Sequence, residues 1–452
     1  MCYAESIQKK NIKVYYRIAT LPYFCNLTIL CLIVCCLNVT SSKSNKYMKY
    51  ILLIHSHVFI NCNDDEVLLY NSLNGKILYS NMKEFVKTIS NIKTIGTPDY
   101  IIKDLEIIPN SIVNDIVNMH MGRLLQIDDI CPVQFSPSVN INGVSIEMYT
   151  QKPIFSVQDL YEKELLEKDY CQQMGKNVLD YLTTLTIYFS CDSRLNPKYK
   201  YASRQYLFPE LGDNHIDIDR LEAFLEKYTF QLEQVNIVVG DINQEIFLDL
   251  KKMIEKIIKQ NCAIAVYTGA YNISQMRELI GDIDLLCLWV LSDYNGVLLN
   301  EEKIRYLGLV TEDSEMNFND EITVFPCKTE GNKDFCLSVS SYSIEDMLNM
   351  DFPKNEIISS QYLNANFFGE LSILSSGNIY SCLQHPPIGN IDVDDLREVL
   401  YSEFLTYKNW FMVRKNLSVC KSCVFNFLCP PISNYELSIG EIFCNKNSKI
   451  NI

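Results

Sequence analysis

The chain has 452 residues, 48% of them apolar and 21% charged, and 55 acidic against 40 basic side chains give it a formal charge of −15. That length holds about two or three domains with a sizeable core. The acidic balance argues against nucleic acid as a partner, because phosphate binding needs a basic face.

Residues 1–47 form an apolar extension. An uncharged run, Leu21 to Val39, follows Lys9, Lys10, Lys13 and Arg17. It is long enough to cross a bilayer, so a membrane anchor through residues 21–39 is one expectation. The basic flank and the polar Thr40-Ser41-Ser42 also suit a cleaved signal. A third reading is that translation starts at Met48. Most of the 18 cysteines are single and lie in apolar runs, as at Cys262, Cys287 and Cys336. There they behave as small hydrophobes. A disulfide framework is not expected in so large a chain, and the thiols suit a reducing compartment, so the expected location is cytoplasmic.

Residues 48–144 predict a small α+β domain. Val58 to Ile60, Val67 to Tyr70 and Lys76 to Tyr79 are β-type runs, separated by Asn63-Asp64-Asp65 and by Asn71 to Gly75. Those separators are turn chemistry. Helical patterns follow at Met82 to Ile92 and Ser111 to Leu125. His55 and His57 share one face of a predicted strand and read as packing or solvated groups. Val67 and Leu69 alternate onto one strand face, and Ile77 is expected to join them. In shape the module resembles the recognition element that captures leader peptides by strand addition, which would make precursor peptide a partner. An unrelated capping domain has the same outline.

Residues 145–181 read as a connector. From 182 to 350, strands and helices alternate, which implies a parallel sheet with crossover helices. The predicted strands are Thr184 to Phe189, Val235 to Val239, Ala263 to Tyr267, Leu285 to Leu291, Ile322 to Phe325 and Phe335 to Val339. Helical patterns lie at Ile216 to Tyr228, Gln244 to Ile258, Ser274 to Ile280, Glu301 to Leu307 and Ile344 to Leu348. Asp213, His215, Asp217 and Asp219 precede the first of these, where acids favour a helix N-terminus.

After the first strand the chain reads Ser193-Arg194-Leu195-Asn196-Pro197-Lys198-Tyr199-Lys200-Tyr201. This segment resembles the C-N-L-x-C-x-Y-C-Y motif of radical S-adenosylmethionine enzymes, with Leu195, Tyr199 and Tyr201 matching. The three cysteine positions are Ser193, Pro197 and Lys200. Proline has no ligating atom, a lysine ammonium has no lone pair, and a serine hydroxyl is a poor iron ligand at neutral pH. Where the family has Gly-Gly-Glu at the second strand end, this chain has Val239-Gly240-Asp241.

Residues 351–452 carry the strongest motif, Cys420-Lys421-Ser422-Cys423, then Cys429-Pro430-Pro431, with Cys444 beyond. Four thiols this close call for a soft metal, an iron–sulfur cluster or zinc, or for bridges between them. Gly377 to Cys382 adds a G-x4-C element. The tail resembles the SPASM domain that follows many radical SAM peptide-modifying enzymes. In that pattern Cys420, Cys423, Cys429 and Cys444 would hold the second auxiliary cluster. Of the other auxiliary site only Cys382 remains, with Ser433 at a cysteine position.

The resemblance implies a partial (β/α)6 radical-SAM-like barrel with a Cys-rich SPASM-like domain and a small N-terminal α+β domain. It implies a non-catalytic accessory protein of ribosomal peptide maturation, partnered by a precursor peptide, an active radical SAM maturase, or both. One four-iron–four-sulfur cluster would remain, zinc being the alternative, and no S-adenosylmethionine cleavage is expected. An electron-transfer partner of a radical SAM enzyme is the competing function.

Overall fold

The computed structural model describes residues 50–55, 57–95, 101–102, 108–126, 178–191, 201–202, 215–226, 232–258, 262–280, 286–292, 303–312, 322–406 and 409–444. The run from Leu21 to Val39 and the positions Met48, Ser193, Pro197, Lys200 and Asp213 lie outside these residues. Among the described residues no helix is long and apolar enough to cross a membrane. The fold is mixed α/β, and the chain divides into two compact units. The first comprises residues 1–152, 346–359 and 420–428, and the second 153–345, 360–419 and 429–452.

The first unit opens with β1 (Tyr50–Ile54), β2 (Val58–Cys62), β3 (Val67–Asn71) and β4 (Ile77–Ser80). Then come α1 (Lys83–Ile95), β5 (Ile101–Ile102), α2 (Asn110–Asn118) and β6 (Gly122–Gln126). Two antiparallel three-stranded sheets result, ordered β5-β1-β6 and β2-β3-β4. The turns between β2, β3 and β4 are built as the sequence suggests. Asn63 Oδ1 accepts the N–H groups of Asp65 (2.9 Å) and Glu66 (2.7 Å), and Asn71 Oδ1 accepts that of Leu73 (3.0 Å). Gly75 has φ +69°, and a Cβ there would lie 1.5 Å from Asp351 Oδ1. A side chain at that position would be strained by the backbone and would have to displace the Asp351 carboxylate.

The helix expected from Ser111 to Leu125 stops at Asn118. His120 takes φ +54°, and Gly122–Gln126 then pairs with all five residues of β1. Pairing with a buried strand outweighs helical periodicity here. His55 and His57, expected on one strand, instead lie in the link between β1 and β2, where their rings stack 5.3 Å apart. Burial, followed by the charges of His57, Arg123 and His120, holds His55 below the usual histidine range.

β3 is buried along its whole length. Val67 and Leu69 join Phe85, Val86 and Ile89 of α1 and Ile112, Val113 and Ile116 of α2 in one core. They are covered by the unit's own helices and offer no surface to a peptide. Ile77 pairs with Tyr70, not with Val67 or Leu69, so it belongs to the opposite face. That face also carries Phe59, Asn61, Leu68 and Tyr79 by register. Later segments of the chain cover it. Tyr70 donates its hydroxyl to Phe352 O at 3.0 Å, and Phe59 and Tyr79 stand 6.3 and 5.5 Å from the rings of Phe427 and Phe425.

The second unit begins with a 3-10 turn at Val178–Tyr181, followed by β7 (Thr184–Tyr188), β8 (Tyr201–Ala202), α3 (Ile218–Glu226), β9 (Gln234–Val239) and α4 (Gln244–Ile258). β10 (Ala263–Gly269), α5 (Ile273–Ile280), β11 (Leu286–Ser292), β12 (Ile304–Val310), β13 (Ile322–Lys328) and α6 (Lys333–Ser340) follow. The next two helices, α7 (Ile344–Asn349) and α8 (Lys354–Ser360), fall mostly in the segment 346–359 that belongs to the first unit. The chain ends with β14 (Glu370–Ile373), β15 (Asn378–Tyr380), β16 (Gly389–Asn390), α9 (Leu396–Thr406) and α10 (Asn434–Ile439). The sheet order is β16-β15-β14-β7-β9-β10-β11-β12-β13-β8. From β14 to β13 every neighbouring pair is parallel. From β7 through β9 to β13 the parallel strands lie in chain order with no reversal. Successive crossovers therefore advance in one direction.

Two predicted elements exchange identity. Glu301 to Leu307, expected as a helix, yields β12, whose residues 304–308 register with β11. Its apolar spacing suits a helix, but the strand is buried on both faces, where period-two alternation vanishes. Phe335 to Val339, expected as a strand, lies in α6, with Phe335 and Cys336 buried against Val310, Tyr435 and Phe443.

Candidate functional site: strand ends and tail thiols

The C-terminal ends of β7, β9 and β10 form a closed polar join. Gly240, just past β9, donates its N–H to Ser190 Oγ at 2.9 Å, and its carbonyl accepts from Asn272 Nδ2 at 2.7 Å. Asn272 also donates to Thr268 Oγ1 at 2.9 Å, and Asp241 N–H reaches Cys191 O at 2.8 Å. Ser190, Thr268 and Asn272 are all buried. Ligands of parallel α/β folds bind at this end of the strands. Both main-chain polar groups of Gly240 are engaged by the protein itself. Asp217 Oδ1 accepts the N–H of Arg220 at 3.2 Å, the first-turn role expected for it. His215 bridges to Ser190.

The G-x4-C element is a hairpin. Gly377, with φ +84°, makes the turn between β14 and β15. Cys382 lies just past β15, fully buried in the main apolar cluster. Burial pushes its thiol up to about 12. In α6, burial likewise raises the Cys336 thiol to about 11. Neither forms much thiolate near neutrality, and thiolate is the reactive form. In folded, metal-free protein, iodoacetamide at pH 8 is expected to label the exposed Cys444 while sparing Cys382 and Cys336. Peptide mapping checks this, and rapid labelling of Cys382 would refute its burial.

Ser433 is a helix cap. Its hydroxyl accepts from Glu436 N–H, and the Glu436 carboxylate returns to Ser433 N–H at 2.9 Å, a reciprocal capping box at the start of α10. Arg414 grips the same carboxylate with two bonds, 2.9 and 3.1 Å, and its Nε donates to Pro430 O. Phe443 N–H also donates to Glu436, at 2.8 Å. Arg414 and Glu436 are both buried. Ser433 reads in the sequence only as a lost cysteine position, so this role is missed there; the S-x-x-E spacing could have shown the cap, whereas the partner 22 residues upstream carries no local signal.

Cys420, Cys423, Cys429 and Cys444 are not joined in disulfides. Cys420 is buried, Cys423 and Cys429 are half-buried, and Cys444 is exposed. Cys420 and Cys423 belong to the first unit, Cys429 and Cys444 to the second. A turn closed by Cys423 N–H to Cys420 O, 3.0 Å, carries the first pair. Asn61 of β2 donates to Val424 O at 2.9 Å, and Asn63 donates to Ser422 O at 2.6 Å. Burial, then Glu66, then Cys423, holds the Tyr79 phenol above its usual range. Among the described residues no group of three or more His, Cys, Asp or Glu side chains is placed to hold a metal ion. In donor chemistry the four thiols fit a soft metal or an iron–sulfur cluster.

Compared with known protein families and with curated proteins, the chain matches none.

Proposed function

We propose that this protein is a non-catalytic accessory of ribosomal peptide maturation, a pseudo-radical-SAM scaffold with a SPASM-like tail. It binds a precursor peptide or an active radical SAM maturase. Cys420, Cys423, Cys429 and Cys444 hold one four-iron–four-sulfur cluster. The observation that carries this reading is the fate of the cysteine-type positions. Ser433 caps a helix and Cys382 is an inert core thiol, while the other four positions keep their cysteines. The one-directional winding of β7 through β13 supports a partial barrel over a doubly wound sheet, whose strand order reverses. The engaged backbone of Gly240 supports the absence of cofactor chemistry at that strand end. When bound, the cluster supplies a one-electron centre and a cross-link of the tail. The thiols of this chain supply its anchoring, and Pro430 stiffens the exit from Cys429.

Anaerobically purified full-length protein should contain about four irons per chain with matching sulfide and a broad visible absorbance. Reduced protein should release no deoxyadenosine from S-adenosylmethionine. Stoichiometric zinc without iron would overturn the cluster, and deoxyadenosine above buffer background would overturn the non-catalytic assignment.

A further inference from the structure

The loop after β15 carries a histidine at the end of a buried relay. Ser381, Glu403 and Asn409 are each 2% exposed or less. The Ser381 hydroxyl donates to Glu403 Oε2 at 2.9 Å, so its oxygen accepts from Asn409 Nδ2 at 2.6 Å. That orientation turns Asn409 Oδ1 toward His385 Nδ1, which is then the protonated ring nitrogen. Every donation thus runs toward the carboxylate. His385 Nε2 is left as an acceptor with no partner among the described residues. The main chain holds the loop as well: His385 N–H donates to Cys382 O at 3.1 Å, and Ile388 N–H to Ile379 O at 2.8 Å.

His385 lines a pocket of about 550 Å³ within the second unit, a size usual for small-molecule sites. Pro386, Pro387, Phe411 and Met412 give it apolar walls, and Asn416 adds an amide. Among the described residues that line it, none is Asp, Glu, Lys or Arg. A charged ligand would meet no counter-charge there, and an anion would also face the buried Glu403 carboxylate. An aliphatic alcohol would leave Phe411 and Met412 without the ring contacts they favour. A neutral aromatic ring bearing a hydroxyl meets both demands.

We propose that this pocket binds a phenol, as a tyrosyl side chain presents it, with the phenolic O–H donated to His385 Nε2 and Asn409 acting as the positioning residue of the imidazole. The inference goes beyond the accessory reading, and it needs no metal.

The test titrates full-length protein calorimetrically with N-acetyltyrosinamide, N-acetylphenylalaninamide and p-cresol. Wild type should bind the tyrosine amide about 10-fold more tightly than the phenylalanine amide, the discrimination one hydrogen bond gives. His385→Phe, at a half-buried position, should bring that ratio to about 1. Tighter binding of the tyrosine amide than of p-cresol identifies a tyrosyl residue as the source, and equal binding a free phenol; both uphold phenol recognition. No binding of any probe at about 10 mM, equal affinity for the two amides, or an unchanged ratio in a folded His385→Phe variant overturns it. The role of Asn409 is read separately, by nitrogen-15 spectra of protein labelled on its five histidines. His385 should be the Nδ1–H tautomer in wild type and lose that signature in Asn409→Leu, a change that a merely structural asparagine would not produce. An Nε2–H tautomer in wild type, or a tautomer unchanged in a folded Asn409→Leu variant, overturns that role. If Asn409→Leu does not fold, the wild-type tautomer decides.

Discussion

Replacing Arg414 with Leu is expected to lower the unfolding free energy by about 3–5 kcal/mol. The guanidinium is 4% exposed and its partner carboxylate 0%, so neither charge has water to fall back on. With arginine gone, the Glu436 carboxylate keeps its bonds from Ser433 and Phe443 but loses the guanidinium that pairs with it. An uncompensated buried charge costs more than the pair contributed. The double variant Arg414→Leu/Glu436→Leu should therefore be more stable than Arg414→Leu alone. It still forfeits about 1 kcal/mol from the broken cap. Urea denaturation of the three proteins measures both differences. A single variant within about 0.5 kcal/mol of wild type would mean that water reaches the carboxylate, contrary to its burial.

Trp410→Ala should cost about 3–5 kcal/mol, the range for truncating a large core aromatic. The indole is fully buried and packs 5.3 Å from Phe368. Its Nε1–H donates to Glu370 O at 3.1 Å, tying it to β14, and its backbone N–H donates to Glu403 Oε1 at 2.8 Å. Glu403, buried in α9, also accepts the Ser381 hydroxyl at 2.9 Å. Trp410 thus closes a polar circuit beside Cys382; alanine keeps the backbone bond to Glu403 but leaves a void and removes the indole's bond to Glu370 O. Trp410→Phe retains most of the volume, so its smaller loss separates packing from hydrogen bonding. Thermal or urea unfolding reads both. A loss below about 1 kcal/mol for Trp410→Ala would show that neighbouring side chains collapse into the void.

The sequence disclosed the elements whose periodicity and punctuation agree. The β2-β3-β4 meander was legible because Asn63 and Asn71 are turn residues that bond their own backbone. α4 was legible because its buried residues, Ile246, Leu250, Met253, Ile254 and Ile257, follow helical spacing. β12 was not, because a strand buried on both faces loses the alternation that distinguishes it from a helix. Tertiary partners stayed hidden for a related reason. Nothing near Asn61 indicates that its amide is reserved for carbonyls more than 350 positions later. Likewise the helix expected through Leu125 was cut short by a partner strand, β1, that local pattern cannot reveal. At the candidate site, the residue types were readable and the allotment of the four cysteines to two units was not.

The first unit is discontinuous, drawing on residues 346–359 and 420–428 as well as the N-terminal region. Translation gives this arrangement a timetable. The face of β3 bearing Leu68 and Tyr70 has left the ribosome long before Phe352, Phe425 and Phe427 are made to cover it. A nascent chain must therefore carry that face uncovered through the synthesis of most of the larger sheet. Any chain terminated before Phe425 leaves Phe59 and Tyr79 on that face uncovered, a ready substrate for chaperones and proteases. Quality control of this unit is in this sense deferred to the codons around Phe425 and Phe427, the same stretch that encodes Cys420, Cys423 and Cys429.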